Sequence, residues 1–225
     1  MDLNQILKKL VSETLTPILK PLGFKKSGNN YYREVGDIIQ CLNLQQSKWN
    51  SAESKEFTLN LGLIHKKIFK EISTRDLPKF PKEYESQIRR RVSSLKFGKD
   101  IWYELTTQTN YFNLLNELNN DLVDYAIPFF IKYENFENWL DFTSIENATI
   151  IGDITRFFIL KELGKLEEAK KLLKEFYEDA LLPVTNKSTT IFPDGTSVTK
   201  ESEPYINWHR VNYYKEIAEK YSINL

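Results

Sequence analysis

Two short runs with a strict period of two set the strongest limit on how this chain can fold. Leu42 and Leu44 alternate with Cys41, Asn43 and Gln45, and Phe57, Leu59, Leu61 and Leu63 alternate with Thr58, Asn60 and Gly62. Side chains on a strand point to opposite faces in turn, so antiparallel pairing of the two runs gives a leucine face and an amide face. A slip of one residue would exchange the faces, which ties the register to the burial pattern. Upstream, residues 31–35 lead into Gly36-Asp37 and then Ile38 and Ile39, the signature of a hairpin whose turn needs positive φ. The expectation is a meander over residues 31–35, 38–45 and 56–65. Each fully buried leucine on it contributes roughly 1.5–3 kcal/mol.

The leucine face needs a cover. Leu3, Ile6, Leu7, Leu10, Val11 and Leu15 recur at helical spacing and predict an amphipathic helix over residues 2–15, ended or kinked by Pro17 and Pro21. The basic segment over residues 66–99 is expected to begin with a short helix, and Pro78 and Pro81 argue for an irregular loop after it. Residues 89–95 and 101–105 read as two further strands, although residues 89–92 could equally finish a helix from Glu83. A helix resumes at Thr109 or Asn110, with Leu114, Leu115, Leu118, Leu122 and Val123 on one face and a kink at Pro128. The fold class is therefore α+β: an antiparallel sheet of about five strands packed against helices, followed by a C-terminal helical subdomain.

The expected division is an α+β domain over residues 1–135 and a helical extension over 136–225. A short aromatic helix at 136–148, with Phe136, Trp139, Leu140 and Phe142, joins the two. Thr149 can cap a helix carrying Ile150, Ile151, Ile154, Phe157, Phe158 and Leu163. Gly164 suits a left-handed C-cap, and Leu166, Ala169, Leu172, Leu173, Phe176 and Tyr177 define the second arm of an αα-hairpin. Residues 186–203 read as a small hairpin or a loop around Pro193-Asp194-Gly195, and a last helix opened by Pro204 carries Ile206, Tyr213, Tyr214, Ile217 and Ala218.

Lys plus Arg and Asp plus Glu stand at 31 each, so no bulk field draws the chain to nucleic acid or membrane. The charge is unevenly spread. Residues 66–99 hold eleven basic side chains against four acidic ones, and residues 100–150 nine acidic against Lys132 alone, so the two segments are expected to complement each other within the fold. The N-terminus lacks a basic segment followed by an apolar run, no stretch approaches eighteen apolar residues, and the single Cys41 has no disulfide partner. A cytoplasmic protein with no membrane partner is the expectation.

Catalytic signatures are sparse. Cys41 falls mid-strand, where a small buried hydrophobe is the expected role. His65 and His209 stand in no metal-ligand spacing, and the stretch from Gly23 to Gly28 lacks the G-K-[ST] ending of a phosphate loop, so no cofactor or metal is expected. Arg89, Arg90, Arg91, Lys96 and Lys99, near Phe97, Trp102 and Tyr103, form the best nucleic-acid candidate. Strand alternation would send Arg90 opposite to Arg89 and Arg91 and split that patch. Asn43, Gln45, Thr58 and Asn60, extended by Ser47 and Trp49, remain. They form either a cross-strand ladder that sets register, with Trp49 pinning the following loop, or a recognition surface for a protein or peptide partner or a small polar molecule.

The segments Leu19-Lys20-Pro21-Leu22-Gly23-Phe24-Lys25-Lys26, Tyr32-Arg33, Leu42-Asn43-Leu44-Gln45 with Lys48-Trp49, and Phe57-Thr58-Leu59-Asn60-Leu61-Gly62 resemble the bacterial domain-of-unknown-function family 4304. Residues 88–95 and Trp102 carry the likeness more weakly, and it spans about residues 3–135. The resemblance implies no activity, cofactor or catalytic residue. Small bacterial families of similar size include immunity and defence-associated binding proteins, an analogy at the level of fold and size. The reading is a non-enzymatic protein- or peptide-binding module. Its alternative is an enzyme acting on nucleic acid or a small polar metabolite.

Overall fold

The computed structural model describes residues 2–142 and 152–225. They divide into two compact units, residues 1–159 and 160–225. The chain begins with α1 (Leu3–Glu13), capped by the Asp2 carboxylate on the Asn4 amide, which buries Leu3, Leu7, Leu10 and Val11. The predicted helix breaks at Thr14, whose hydroxyl donates to the Leu10 carbonyl, and restarts as α2 (Leu15–Leu19) with Pro17 inside its first turn.

The sheet follows. Its strands are β1 (Lys25–Ser27), β2 (Asn30–Val35), β3 (Ile38–Gln46), β4 (Ser54–His65), β5 (Ile88–Arg91) and β6 (Tyr103–Thr106), in the order β1-β2-β3-β4-β5, all antiparallel. Two short strands share one edge of β4: β5 pairs with residues 60–63 and β6 with residues 54–57. Gly36 takes φ +59 in the hairpin turn, and Val35 pairs with Ile38 as the two-residue turn requires. Between β3 and β4 the register sets Leu42 opposite Leu61, Leu44 opposite Leu59, Asn43 opposite Asn60 and Gln45 opposite Thr58. The two faces predicted from alternation are present.

Helices cover the leucine face. Tyr31, on that face, hydrogen-bonds Thr16 (2.9 Å), and Gln40 donates to the Phe130 carbonyl (2.9 Å). Tyr103 donates to Asp121 (2.6 Å), so the chain from α5 (Tyr111–Asp121) to α6 (Ile127–Lys132) lies on the same side. The kink expected at Pro128 takes the form of a wide π turn, Leu122–Ala126, in which the Ile127 amide reaches the Leu122 carbonyl. Proline lacks an amide hydrogen and crowds the carbonyl four residues back, and the wider turn gives that carbonyl room. Val123, expected on the core face, is exposed, because at about 100° per residue a helix carries it well away from the face of Leu114 and Leu118.

Several boundaries differ from expectation. The strand predicted over residues 89–95 ends at Arg91, and α4 (Val92–Phe97) follows and closes on Gly98 at φ +68. The helical alternative from Glu83 is a single turn, Glu83–Glu85, because Ile88–Arg91 pairs with β4. The aromatic stretch forms a 3₁₀ segment, Phe136–Phe142. His65 stacks on Phe136 at 4.2 Å and Trp139 is fully buried, which carries the first unit past residue 135. The expected cap Thr149 and the side chains of Ile150 and Ile151 lie outside the described residues.

The amide face is not open along its length. Tyr32, Ile39, Cys41, Ile64 and Phe69 form a second small core with Leu77 and Phe80 packed on it, beneath α3 (Lys66–Ile72) and the proline loop. Gly62 permits this cover. A Cβ there would meet Ser86 Oγ at 2.2 Å and the Glu83 carbonyl at 3.1 Å, so the turn at residues 83–86 rests directly on the strand.

The helix α7 (Asp153–Glu162) leads through Gly164, at φ +75, into α8 (Leu166–Ala180). In the second unit α8 packs on α9 (Trp208–Lys220) through stacked Phe176 and Tyr214. The last helix is opened by Asn207, whose side chain accepts from the Arg210 amide, rather than by Pro204, and Ile206 precedes it. Residues 186–203 contain the hairpin β7 (Lys187–Ile191) and β8 (Ser197–Glu201), exposed at every position.

Gly62→Ala is expected to lower the unfolding free energy by about 1–3 kcal/mol through this clash. Adding Ser86→Gly, which removes the two nearest atoms, should restore part of the loss in chemical denaturation.

Candidate functional site

The half of the polar face beyond Gly62 carries a continuous row across four strands. Asn30 pairs with Asn43, Asn43 with Asn60 and Asn60 with Arg91. The side chains are linked as donors in one direction. Arg91 Nε donates to Asn60 Oδ1 (3.2 Å), Asn60 Nδ2 to Gln45 Oε1 (2.8 Å), and Asn43 Nδ2 to Asn30 Oδ1 (2.8 Å). Asn60 is 4% exposed and Thr58 fully buried, so the inner part of the row is shielded from water, where an unmade hydrogen bond costs about 1–3 kcal/mol. Thr58 Oγ1 has no hydrogen-bond partner and takes no part in the row.

The outer part is different. Gln45 is exposed, and its amide nitrogen is not used by the row. Trp49 sits in the β3–β4 connection, 80% exposed, with Lys48 Nζ 4.8 Å from its ring centroid, so it does not pin the loop as expected. The loop is held instead by Ser51, Asn50 and backbone bonds such as Ser47 to Glu56. Beside Asn60, Glu83 and the three consecutive arginines Arg89, Arg90 and Arg91 line an open hollow of about 230 Å³.

The basic run is divided as alternation requires. Arg89 and Arg91 share the polar face, and Arg90 lies on the other, its guanidinium 5.6 Å from the Phe142 ring centroid. Glu83 takes Arg89 through two hydrogen bonds (2.7 and 3.1 Å) and holds its guanidinium above the ordinary value, while burial lowers that of Arg90. Arg91 pairs with Asp100, and its guanidinium also lies 5.1 Å from the Trp102 ring centroid. Lys96 pairs with Asp121 (2.9 Å) and Glu117 (3.4 Å), which joins the basic segment to the acidic one. Burial works to lower the Lys96 ammonium, and the bonds and charges of Asp121 and Glu117 outweigh it and raise it. Lys99 is exposed on the turn after α4. The five cations therefore do not share one surface.

Neither residue weighed for catalysis lies open. Cys41 is fully buried with Sγ 3.7 Å from the Pro81 carbonyl, and burial, with the charges of Glu83 and Glu85, pushes its thiol up to about 12. His65 is buried against Phe136 and Trp139, and His209 is exposed on α9. Among the described residues no three His, Cys, Asp or Glu side chains are grouped to hold a metal ion, and no helix is long and apolar enough to cross a membrane.

Sequence reasoning missed Asn30 and Arg91 as members of the row. The tight turn at Gly36-Asp37 already implied Asn30, since counting outward from Val35 and Ile38 brings Asn30 opposite Asn43. Arg91 left no such signal, because the pairing of β4 with β5 spans a long irregular connection.

The row predicts that Asn60→Ala costs about 1–3 kcal/mol in denaturant and that Gln45→Ala, which strips the buried Asn60 Nδ2 of its acceptor, costs a measurable part of that, against a few tenths for the exposed Lys48→Ala. The thiol gives a pH test. A group whose folded pKa is raised keeps its stabilising effect below the unfolded value, about 9, and loses it as pH rises toward 12. Wild-type stability should therefore fall between pH 9 and 12 more steeply than that of Cys41→Ala, in denaturant midpoints measured across that range.

A family model described as Domain of unknown function (DUF4304) matches residues 15–132, the span that holds the six-stranded sheet, its polar row and α2, α5 and α6, with α1 outside it. No curated protein and no solved structure matches the chain. With more than half of its length inside that match, the chain belongs to the DUF4304 family.

Proposed function

We propose that this chain is a non-enzymatic bacterial cytosolic binding module that takes a protein or peptide partner on the outer half of its polar sheet face. The observation that carries the reading is the division of labour along the row. Asn30, Asn43, Asn60 and Arg91 are held by one another, while Gln45 is exposed with its amide nitrogen not used by the row, and Trp49 stands clear of the fold. A rigid polar template with an exposed aromatic beside it suits recognition, because ordering costs are already met and aromatic anchors dominate binding energy. The enzyme alternative draws no support from Cys41 or His65, both buried among apolar side chains. An immunity or defence association follows the family analogy, and an adjacent toxin or nuclease gene would favour it.

A photo-reactive amino acid placed at Gln45 or Trp49 in the native host tests the reading, with Ile131, exposed on α6, as the control position. A discrete cross-linked protein is expected from the first two positions and not the third. In a Gln45→Glu/Trp49→Ala background, the same protein should no longer cross-link from a photo-reactive group at Ser47. Equal labelling from all three positions, or labelling that survives the double substitution, would contradict it.

A further inference from the structure

A cavity of about 280 Å³ lies between α4, the start of β6 and α5, on a part of the molecule that the sheet-face reading does not use. Its walls are apolar and aromatic: Phe97, Ile101, Trp102 and Leu114. Phe97 and Ile101 are 49% and 37% exposed, so two large apolar side chains meet solvent at its mouth. Its polar lining combines the neutral Ser93, Thr109, Asn110 and Asn113 with acidic side chains. Glu104, Glu117 and Asp121 contribute carboxylates, and no basic residue lines the space.

The deepest of the three carboxylates is built into the fold. Asp121 is 3% exposed, and its two oxygens are engaged by the Tyr103 hydroxyl at 2.6 Å and by Lys96 Nζ at 2.9 Å. Burial, then the bond and charge of Asp121, raise the Tyr103 phenol well above its ordinary range, so it stays a neutral donor and fixes the carboxylate. Lys96 is shared between Asp121 (2.9 Å) and Glu117 (3.4 Å), so one positive charge stands against three negative ones. Trp102 is steadied from outside by the Arg91 guanidinium.

We infer that this cavity is a binding site for a small organic amine with an aromatic or comparably sized apolar body. The apolar walls take the body, and the ammonium faces Glu104 and the Glu117 carboxylate that it shares with Lys96, where the excess of negative charge favours a cation and repels an acid. A metal ion does not suit the space. Both Asp121 oxygens are already taken, and no three ligating side chains are grouped there among the described residues. An acid of the same shape would bring a fourth negative charge to the lining.

The test uses the full chain, labelled with nitrogen-15, and three probes of matched shape: phenethylamine, 2-phenylethanol and 3-phenylpropionate. Phenethylamine is expected to shift the Trp102 indole resonance and the amides of residues 101–104 and 110–117, the alcohol to bind more weakly and the acid to leave them in place. In Glu104→Gln/Glu117→Gln, which alters only exposed side chains, phenethylamine should bind on the order of fivefold more weakly while the alcohol is unaffected. Ile101→Arg, which brings a cation to the exposed wall, should weaken the amine further. The inference is overturned if the acid binds as tightly as the amine, if the doubly neutral variant binds the amine as wild type does, or if phenethylamine moves no resonance around Trp102.

Discussion

The antiparallel pairing of β3 with β4 is the constraint from which the rest of the first unit follows. With Leu42 opposite Leu61 and Leu44 opposite Leu59, all four leucines fall on one face and are removed from water. The same register sends Asn43 and Asn60 to the other face, side by side. One choice of parity thus sets both the hydrophobic core and the polar row. A one-residue slip would bury the amides under the helices and expose the leucines, and each exposed leucine would forfeit roughly 1.5–3 kcal/mol.

From that sheet the surroundings become intelligible. The leucine face draws α1, α2, α5 and α6 over it, tied down by Tyr31, Gln40 and Tyr103. A part-buried cluster anchors one corner, where Arg33 bonds Gln40 (2.7 Å), Glu134 (2.6 Å) and the Leu22 carbonyl (3.0 Å). On the opposite face Gly62 marks the boundary between two regimes. On one side of it the proline loop lies close over Cys41 and Tyr32, and on the other the row of amides meets solvent at Gln45.

Much of this was legible in the sequence where the determinants are local. The period of two from Cys41 to Gln45 and from Phe57 to Leu63, the Gly36-Asp37 turn and the helical spacing of α1 each depend on neighbouring residues, and the structure holds them where expected. What was not legible depends on contacts distant in the chain. Nothing near Gly62 announces that Ser86 must rest on it, and nothing near Asp121 announces Tyr103 and Lys96. Residues 92–95 turned from strand to helix for a similar reason, since a strand continued to residue 95 would run into the stretch of β4, residues 54–57, that β6 occupies. For the candidate site, Asn43, Gln45 and Asn60 were read directly from alternation, whereas the role of Arg91 emerged only with the strand order.

The central claim is that the polar face is divided into an inner row that satisfies itself and an outer edge that remains available. Hydrogen exchange of the side-chain amides, followed by nuclear magnetic resonance on the isolated protein, tests that division most directly. The Nδ2 protons of Asn60 and Asn43 are predicted to exchange far more slowly than the Nε2 protons of Gln45, which are not used by the row. Equal, rapid exchange at all three positions would show that the row is not formed and would contradict the account.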